Sequence, residues 1–291
     1  NTLDATANIG NTIAAQVTSI DKQHLTAILK NGSEITLYWK DSPYSTLSIK
    51  NKRKDIHSFL DILQLGHIFR VRKEGDAWRL AQKPEAQSAF VAINPSNGAI
   101  LALSGGYSFF NNKYNRAIQS KRQPGSGFKP IIYTTALENG YTAASLINDA
   151  PIVNNTIAQD SEWRPENYNH KFYGPTSIRT ALRLSRNLIS IRLLRSLGIS
   201  TATETATRFG FKPEQVPQKL SLALGSGYAS PLHMARMYSV FANGGFLIKP
   251  YFIDRIESPK GEIIFQSKAL TVCVECSSQD LEGYAPRVIS A

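Results

Sequence analysis

The pattern of apolar residues changes character near residue 86, and that change constrains the fold more than any other feature. Before it, the apolar runs are short and rich in β-branched or aromatic residues: Ala14 to Ile20, His24 to Leu29, Glu34 to Trp39, Ile68 to Arg72 and Ala77 to Leu80. Asn31-Gly32 falls between two of them, a turn pair suited to a tight hairpin. Five short strands with polar connections predict a small OB-like barrel. Ser48 to Lys54, with Lys50, Lys52, Arg53 and Lys54, reads as a solvated loop, and His57 to Leu65 as a short helix or turn.

Lys83-Pro84-Glu85-Ala86-Gln87-Ser88 is polar and carries a proline, which predicts a boundary between a first domain, 1–86, and a second, 87–291. After it, Phe90 to Asn94 and Ala99 to Leu103 form a hairpin pattern turned at Pro95-Ser96-Asn97-Gly98. Helical patterns follow over Gly127 to Glu138, Thr176 to Leu184, Leu188 to Leu197, Thr201 to Arg208 and Pro231 to Ala242. A strand pair is expected over Phe246 to Ile256 and Glu262 to Gln266. Strands, helices and strands again predict an α+β fold, an antiparallel sheet covered by helices.

Composition narrows the function. The 291 residues carry 33 Lys and Arg against 22 Asp and Glu, a net +11, with 42% hydrophobic residues. That is a globular composition rather than a disordered or fibrous one. A basic surface is compatible with polyanions, but the first domain offers few stacking aromatics, chiefly Tyr38, Trp39, Tyr44 and Phe69, so nucleic-acid binding is disfavoured. No apolar run approaches the ~18 residues that span a bilayer. The chain opens on Asn1 with no signal segment, which predicts a piece of a longer protein whose anchor lies elsewhere. Cys273 and Cys276 fit a local disulfide or two inert thiols. The five histidines (His24, His57, His67, His170 and His233) show no ligand spacing, so no metal is expected.

Two short motifs carry chemistry. In Gln123-Pro124-Gly125-Ser126-Gly127-Phe128-Lys129-Pro130, a serine opens a helix and a lysine follows three residues later. On an α-helix that spacing puts both side chains on neighbouring faces of one turn. A serine hydroxyl is a poor nucleophile until a base removes its proton, so the lysine must be neutral. Burial and the positive end of the helix would lower its pKa, and the same helix start could hold an oxyanion. Gly127 allows close approach. Ser-x-x-Lys also recurs by chance, and a serine at a helix start ordinarily only caps it. The preceding Pro-Gly and the apolar helix Ile131 to Leu137 favour the chemical reading. Ser185-Arg186-Asn187 lies between two helical runs. It can present a hydroxyl for proton relay and an amide for holding a carbonyl or the lysine, or it can merely cap the next helix.

Together these motifs resemble the class A penicillin-binding proteins. The resemblance rests on Phe90-Val91-Ala92-Ile93-Asn94-Pro95, Asn115-Arg116-Ala117, Arg122 to Pro130, Trp163-Arg164-Pro165-Glu166-Asn167-Tyr168, Ser185-Arg186-Asn187, Leu224-Gly225-Ser226-Gly227 and Phe241-Ala242-Asn243-Gly244-Gly245. It implies a penicillin-binding transpeptidase fold, incomplete in this chain, behind an OB-like accessory domain. It implies Ser126 as acylated nucleophile, Lys129 as its base, and Ser185 and Asn187 in proton relay and positioning. The implied substrates are peptidoglycan stem peptides, with β-lactams as acylating mimics and no cofactor. Gly127, Trp163 and Tyr168 are candidates for the substrate cleft, although core packing would explain Trp163 and Tyr168 as well. Glu166 stands in a local sequence unlike that of the deacylating carboxylate of serine β-lactamases, so that role is not assigned to it.

The family's third motif, Lys-Thr-Gly or Lys-Ser-Gly, occurs nowhere in the 291 residues. The chain by itself is therefore expected to acylate poorly, with the glycosyltransferase domain and membrane anchor of the type also outside it. The expected location is the periplasmic face of the bacterial inner membrane, with an envelope protein as a partner for the OB-like domain. Two alternatives keep a place: a D,D-carboxypeptidase or β-lactamase that passes the acyl group to water, and a non-enzymatic OB-type binding module.

Overall fold

The computed structural model describes residues 2–41, 46–49, 52–152, 163–276 and 282–289. The chain forms two compact units, one of residues 1–88 with 106–114, the other of 89–105 with 115–291.

The first unit opens with a helical turn, α1 (Thr2–Ala5), followed by strands β1 (Ile13–Ile20), β2 (His24–Leu29) and β3 (Glu34–Tyr38). The hairpin β4 (Thr46–Ile49) and β5 (Lys52–Asp55) comes next, then β6 (Ile68–Glu74) and β7 (Ala77–Ala81). Five of these strands make one antiparallel sheet in the order β3-β2-β1-β6-β7. Its two edge strands approach each other, which curls the sheet toward a barrel. Alternation explains the interior. Leu25, Ala27 and Leu29 of β2, and Ile35 and Leu37 of β3, point inward while their neighbours face out. Gly32 takes φ +81° at the predicted hairpin. The basic segment expected to be a loop is partly paired: β4 and β5 run antiparallel, with Ser48 opposite Arg53. Backbone pairing there outweighs the charged composition. Tyr44, Lys50 and Asn51 lie outside the described residues. The predicted turn after His57 is a 3₁₀ turn, Phe59–Asp61.

The second unit begins with the hairpin β8 (Phe90–Ile93) and β9 (Ile100–Ser104), followed by α2 (Arg116–Gln119). A 3₁₀ turn, Gly125–Phe128, leads directly into α3 (Lys129–Glu138). Strands β10 (Leu146–Asp149) and β11 (Gly174–Ser177) pair antiparallel. Helices α4 (Ile178–Arg183), α5 (Asn187–Leu197), α6 (Ile199–Arg208) and α7 (Pro231–Ala242) follow, and β12 (Arg255–Glu257) pairs with β13 (Ile263–Gln266). The helix α3 is apolar on nearly every face and is buried from Ile131 to Ala136, as expected of a central helix. Around it pack Ile178, Ile189, Leu193, Ala202, Phe209 and Met237, among others. The α7 helix covers β8, so the antiparallel hairpin carries helices on its surface.

Three further expectations need correction. Thr176 and Ser177 belong to β11, so the helix predicted from Thr176 starts only at Ile178, with Ser177 as its N-cap. The long strand expected over Phe246 to Ile256 is a strand only at Arg255–Glu257. Pro250 has no N–H to donate, and the segment changes partners along its length, from Arg287 at Phe246 to Ala99 at Tyr251. The helix read as Gly127 to Glu138 begins as a 3₁₀ turn, a difference that bears on the chemistry. Cys273 and Cys276 form a disulfide. Among the described residues no helix is long and apolar enough to cross a membrane.

Candidate active site

Pro130 explains the 3₁₀ geometry of the serine turn. Lacking an N–H, it cannot bond back to the Ser126 carbonyl as an α-helix requires. The Lys129 N–H takes that carbonyl instead, three residues away. In a 3₁₀ turn side chains three apart eclipse one another. The backbone thus sets Ser126 and Lys129 one above the other on the turn, while the hydrogen bonds of the Lys129 amine go to Ser185 and Asn187 rather than to Ser126.

The two side chains lie in different surroundings. Ser126 is exposed, whereas Lys129 is 1% exposed at the start of α3. Its Nζ lies 2.7 Å from the Ser185 carbonyl, 3.0 Å from Ser185 Oγ and 2.7 Å from Asn187 Oδ1. Burial lowers its pKa from 10.5 to about 8. Nζ donates to all three oxygens, the Ser185 carbonyl, the Ser185 hydroxyl and the Asn187 amide, and with its pKa lowered to about 8 it can give up a proton near neutral pH and act as a base.

The second motif is held by a helix ending. The Arg186 N–H bonds to the Ala181 carbonyl and the Ser185 N–H to Leu182, which together cap α4 as a Schellman motif. The residue at its left-handed position is Ser185, with φ +52°. Glycine would adopt that conformation without strain, but it would bring no hydroxyl. Asn187 is the first residue of α5, whose N-cap is Arg186 and has no side-chain cap. Capping therefore does not explain Ser185 or Asn187, because both side chains meet Lys129. The Asn187 amide donates from Nδ2 to the Glu166 carbonyl, at 2.8 Å, which turns its oxygen to the lysine.

The turn is fastened by its neighbours. Arg122 and Ala229 exchange two backbone hydrogen bonds, and the Gly125 N–H donates to Gly225 at 3.3 Å. Gly225 has φ +72°, and a Cβ there would lie 2.1 Å from the Gly125 oxygen. Gly225→Ala is expected to cost about 2 kcal/mol or more, lowering the melting temperature by roughly 4–8 °C, and to displace the serine turn. Thermal unfolding and penicillin acylation of the variant measure both effects.

The remaining candidates are scattered. Gly127 accepts from the Tyr238 hydroxyl at its carbonyl, 3.1 Å away, and a Cβ there would meet Met234 Cε at 3.3 Å. Trp163 packs against the hydrophobic core. Tyr168 is 98% exposed. Neither makes a hydrogen bond to Lys129, Ser185 or Asn187. The Glu166 carboxylate pairs with His170, so its carbonyl is the part that reaches the site. What sequence reasoning missed is this main-chain role. Glu166 is weighed in the sequence only for its carboxylate, and a backbone carbonyl contact carries no residue-type signal, so neither it nor the Asn167 amide behind it could be read from the stretch Trp163 to Tyr168.

Comparison with known proteins gives the family. The family described as the penicillin binding protein transpeptidase domain matches residues 88–280, and the penicillin-binding protein OB-like domain matches 1–86. Penicillin-binding protein 1A of Pseudomonas aeruginosa is 43% identical over 271 residues, 92% of this chain and 33% of that protein. The crystal structure of penicillin-binding protein 1A from Haemophilus influenzae superposes with a TM-score of 0.84 at 35% identity, covering 99% of this chain and 44% of that one. The PonA1 protein of Mycobacterium tuberculosis in complex with penicillin V gives a TM-score of 0.54 at 25% identity, over 62% of this chain and 51% of its own. The chain spans about a third of the length of the curated relatives it matches. A transpeptidase match across well over half of these residues, behind an OB-like match, means that the chain belongs to the penicillin-binding protein transpeptidase family.

Proposed function

We propose that this chain supplies the nucleophile and base of a serine D,D-transpeptidase that cross-links peptidoglycan stem peptides. The observation that carries the reading is the Lys129 amine, buried, held by Ser185 and Asn187, and three residues from an exposed serine on a 3₁₀ turn. Lys129 Nζ takes the proton of Ser126 Oγ as the oxygen attacks the carbonyl of a D-Ala-D-Ala bond. The tetrahedral intermediate collapses to an ester on Ser126. The departing D-Ala amine takes a proton from Lys129 by way of the Ser185 hydroxyl. An acceptor amine then attacks the ester and frees the serine. A β-lactam enters the same first step, but its ring-opened amine stays tethered, so the ester persists. Gly127 gives the substrate close access to the turn, and Trp163 and Tyr168 belong to the loop beside it.

We assign residues 1–86 to an OB-like accessory domain and 87–291 to the N-terminal portion of the transpeptidase domain, in a protein of the length of its relatives. The two compact units support this division, with the excursion 106–114 grouping with the first. A periplasmic location at the inner membrane accords with the peptidoglycan substrate and with the Cys273–Cys276 disulfide, which suits an oxidising compartment. An envelope protein is the proposed partner of the OB-like domain.

The test is the site of acylation. A full-length protein carrying these residues, treated with benzylpenicillin and mapped by peptide mass spectrometry, should hold one penicilloyl group on Ser126. The 291-residue chain alone, without a Lys-Thr-Gly or Lys-Ser-Gly segment, should acylate far more slowly. An adduct on another residue overturns the assignment. Products formed from a stem-peptide mimic with and without an acceptor amine separate transpeptidation from hydrolysis.

A further inference from the structure

We infer that Asn167 and Asp149 are positioning residues that fix the Lys129–Asn187 pair, an inference that rests on the proposed role of Lys129. Asp149, at the end of β10, is fully buried. A buried carboxylate is costly unless its oxygens are occupied by donors. Here Asn167 Nδ2 lies 2.8 and 2.9 Å from the two carboxylate oxygens. The Arg186 Nε is 4.0 Å from Asp149, and its guanidinium stacks 3.5 Å from the centre of the Tyr173 ring.

Asn167 is itself 3% exposed, and every group on its amide has a partner. Its nitrogen donates to Asp149 and to the Lys171 carbonyl at 2.9 Å. Its oxygen accepts the Asn187 N–H at 2.9 Å. The carboxylate leaves only one orientation for this amide, because the Asn167 oxygen cannot face it. The amide in turn fixes the backbone of Asn187. The adjoining Glu166 carbonyl accepts from Asn187 Nδ2, so Oδ1 of Asn187 is the atom left to meet Lys129. The chain of constraint thus runs from Asp149 through Asn167 and Asn187 to the amine. It joins β10, the loop after Trp163 and the start of α5. Were the Asn187 amide to turn over, its NH₂ group would face Lys129 and could accept nothing from it.

The test uses benzylpenicillin acylation of a full-length protein carrying these residues. Binding and bond formation are separated into the initial dissociation constant and the acylation rate constant. Asn167→Ala should lower the rate constant about a hundredfold and change the dissociation constant by less than threefold. The rate constant comes from the time course, so a partly unfolded sample loses amplitude without changing it. If Asn167→Ala does not fold, Asn167→Ser is measured in its place, with the same expected direction. Asp149→Asn, whose amide can also donate and so lets the Asn167 amide turn over, should lower the rate constant about tenfold in the same direction, and an unchanged rate constant there would overturn the part assigned to Asp149.

The decisive comparison is non-additivity. Because Asn167 acts through Asn187, the double variant Asn167→Ala/Asn187→Ala should be no slower than Asn187→Ala alone. Full multiplication of the two effects, or an unchanged rate constant in Asn167→Ala, overturns the inference. Label retained by Ser126→Ala would instead overturn the proposed function beneath it.

Discussion

Lys129→Met should lower the rate constant for acylation by benzylpenicillin by about a thousandfold or more, the range a positioned general base supplies. Methionine keeps the length and apolar bulk of the buried stem and removes the amine. The pH profile gives the stronger evidence. Only the neutral amine can accept the serine proton, and burial places the pKa at about 8. The parent rate should therefore climb about tenfold per pH unit below 8 and level off above it. In Lys129→Met the slope should vanish. Lys129→Arg should be equally inactive, because a guanidinium stays charged. An inflection near pH 8 that survives in Lys129→Met would assign the base to another group. The same pKa has a stability consequence. The folded value lies below the unfolded one, so between about pH 8 and 10.5 the unfolded chain binds more protons. Stability from this group then rises with pH across that window and is lowest below it.

Much of this site is legible in the order of the residues. Ser126 and Lys129 are three apart in any helical turn, and an apolar run after them predicts that the lysine is drawn inward. The finer geometry is set by backbone hydrogen bonding that residue types reveal only in part. Pro130 could have signalled the 3₁₀ turn, since it removes one donor, but an N-terminal proline is equally at home in an α-helix. The left-handed conformation of Ser185 has no local signature. Serine rarely adopts it, and the Schellman bonds that stabilise it depend on where α4 ends. The network behind Asn187 is less legible still, because Asp149, Asn167 and Asn187 come together only through tertiary packing. The strands β10 and β11 are short, and β11 contains Gly174 and Pro175, so pattern reasoning passes over them. In the first unit the reverse holds. Alternation alone places Leu25, Ala27, Ile35 and Leu37 inside, and the five predicted strands match the sheet closely. The charged strand Lys52–Asp55 escapes notice because its pairing is made by backbone rather than by side-chain preference.

Phe128→Ala should be the most destabilising single change near the serine turn, and its effect should extend to acylation. Phe128 sits between nucleophile and base in sequence, is 1% exposed, and packs edge-on against Phe211 with ring centres 5.4 Å apart. Ser126 on one side of it faces solvent and Lys129 on the other is buried, so this ring anchors the turn that presents both. Truncating a buried phenylalanine leaves a cavity and costs about 3–5 kcal/mol. In a unit of this size that corresponds to a fall of roughly 10 °C in melting temperature. Phe128→Leu keeps most of the apolar volume and should cost less than half as much. Tyr168→Ala, at a side chain 98% exposed, should stay within about 0.5 kcal/mol of the parent. Calorimetry orders the three variants. Acylation measured well below the melting transition then asks whether packing also sets the chemistry. With its anchor gone the turn can shift relative to Lys129, and displacements near 1 Å at a reacting centre cost about a hundredfold in rate. A Phe128→Ala protein that melts early yet acylates at the parent rate would show that the Arg122–Ala229 and Gly125–Gly225 backbone bonds hold the turn unaided.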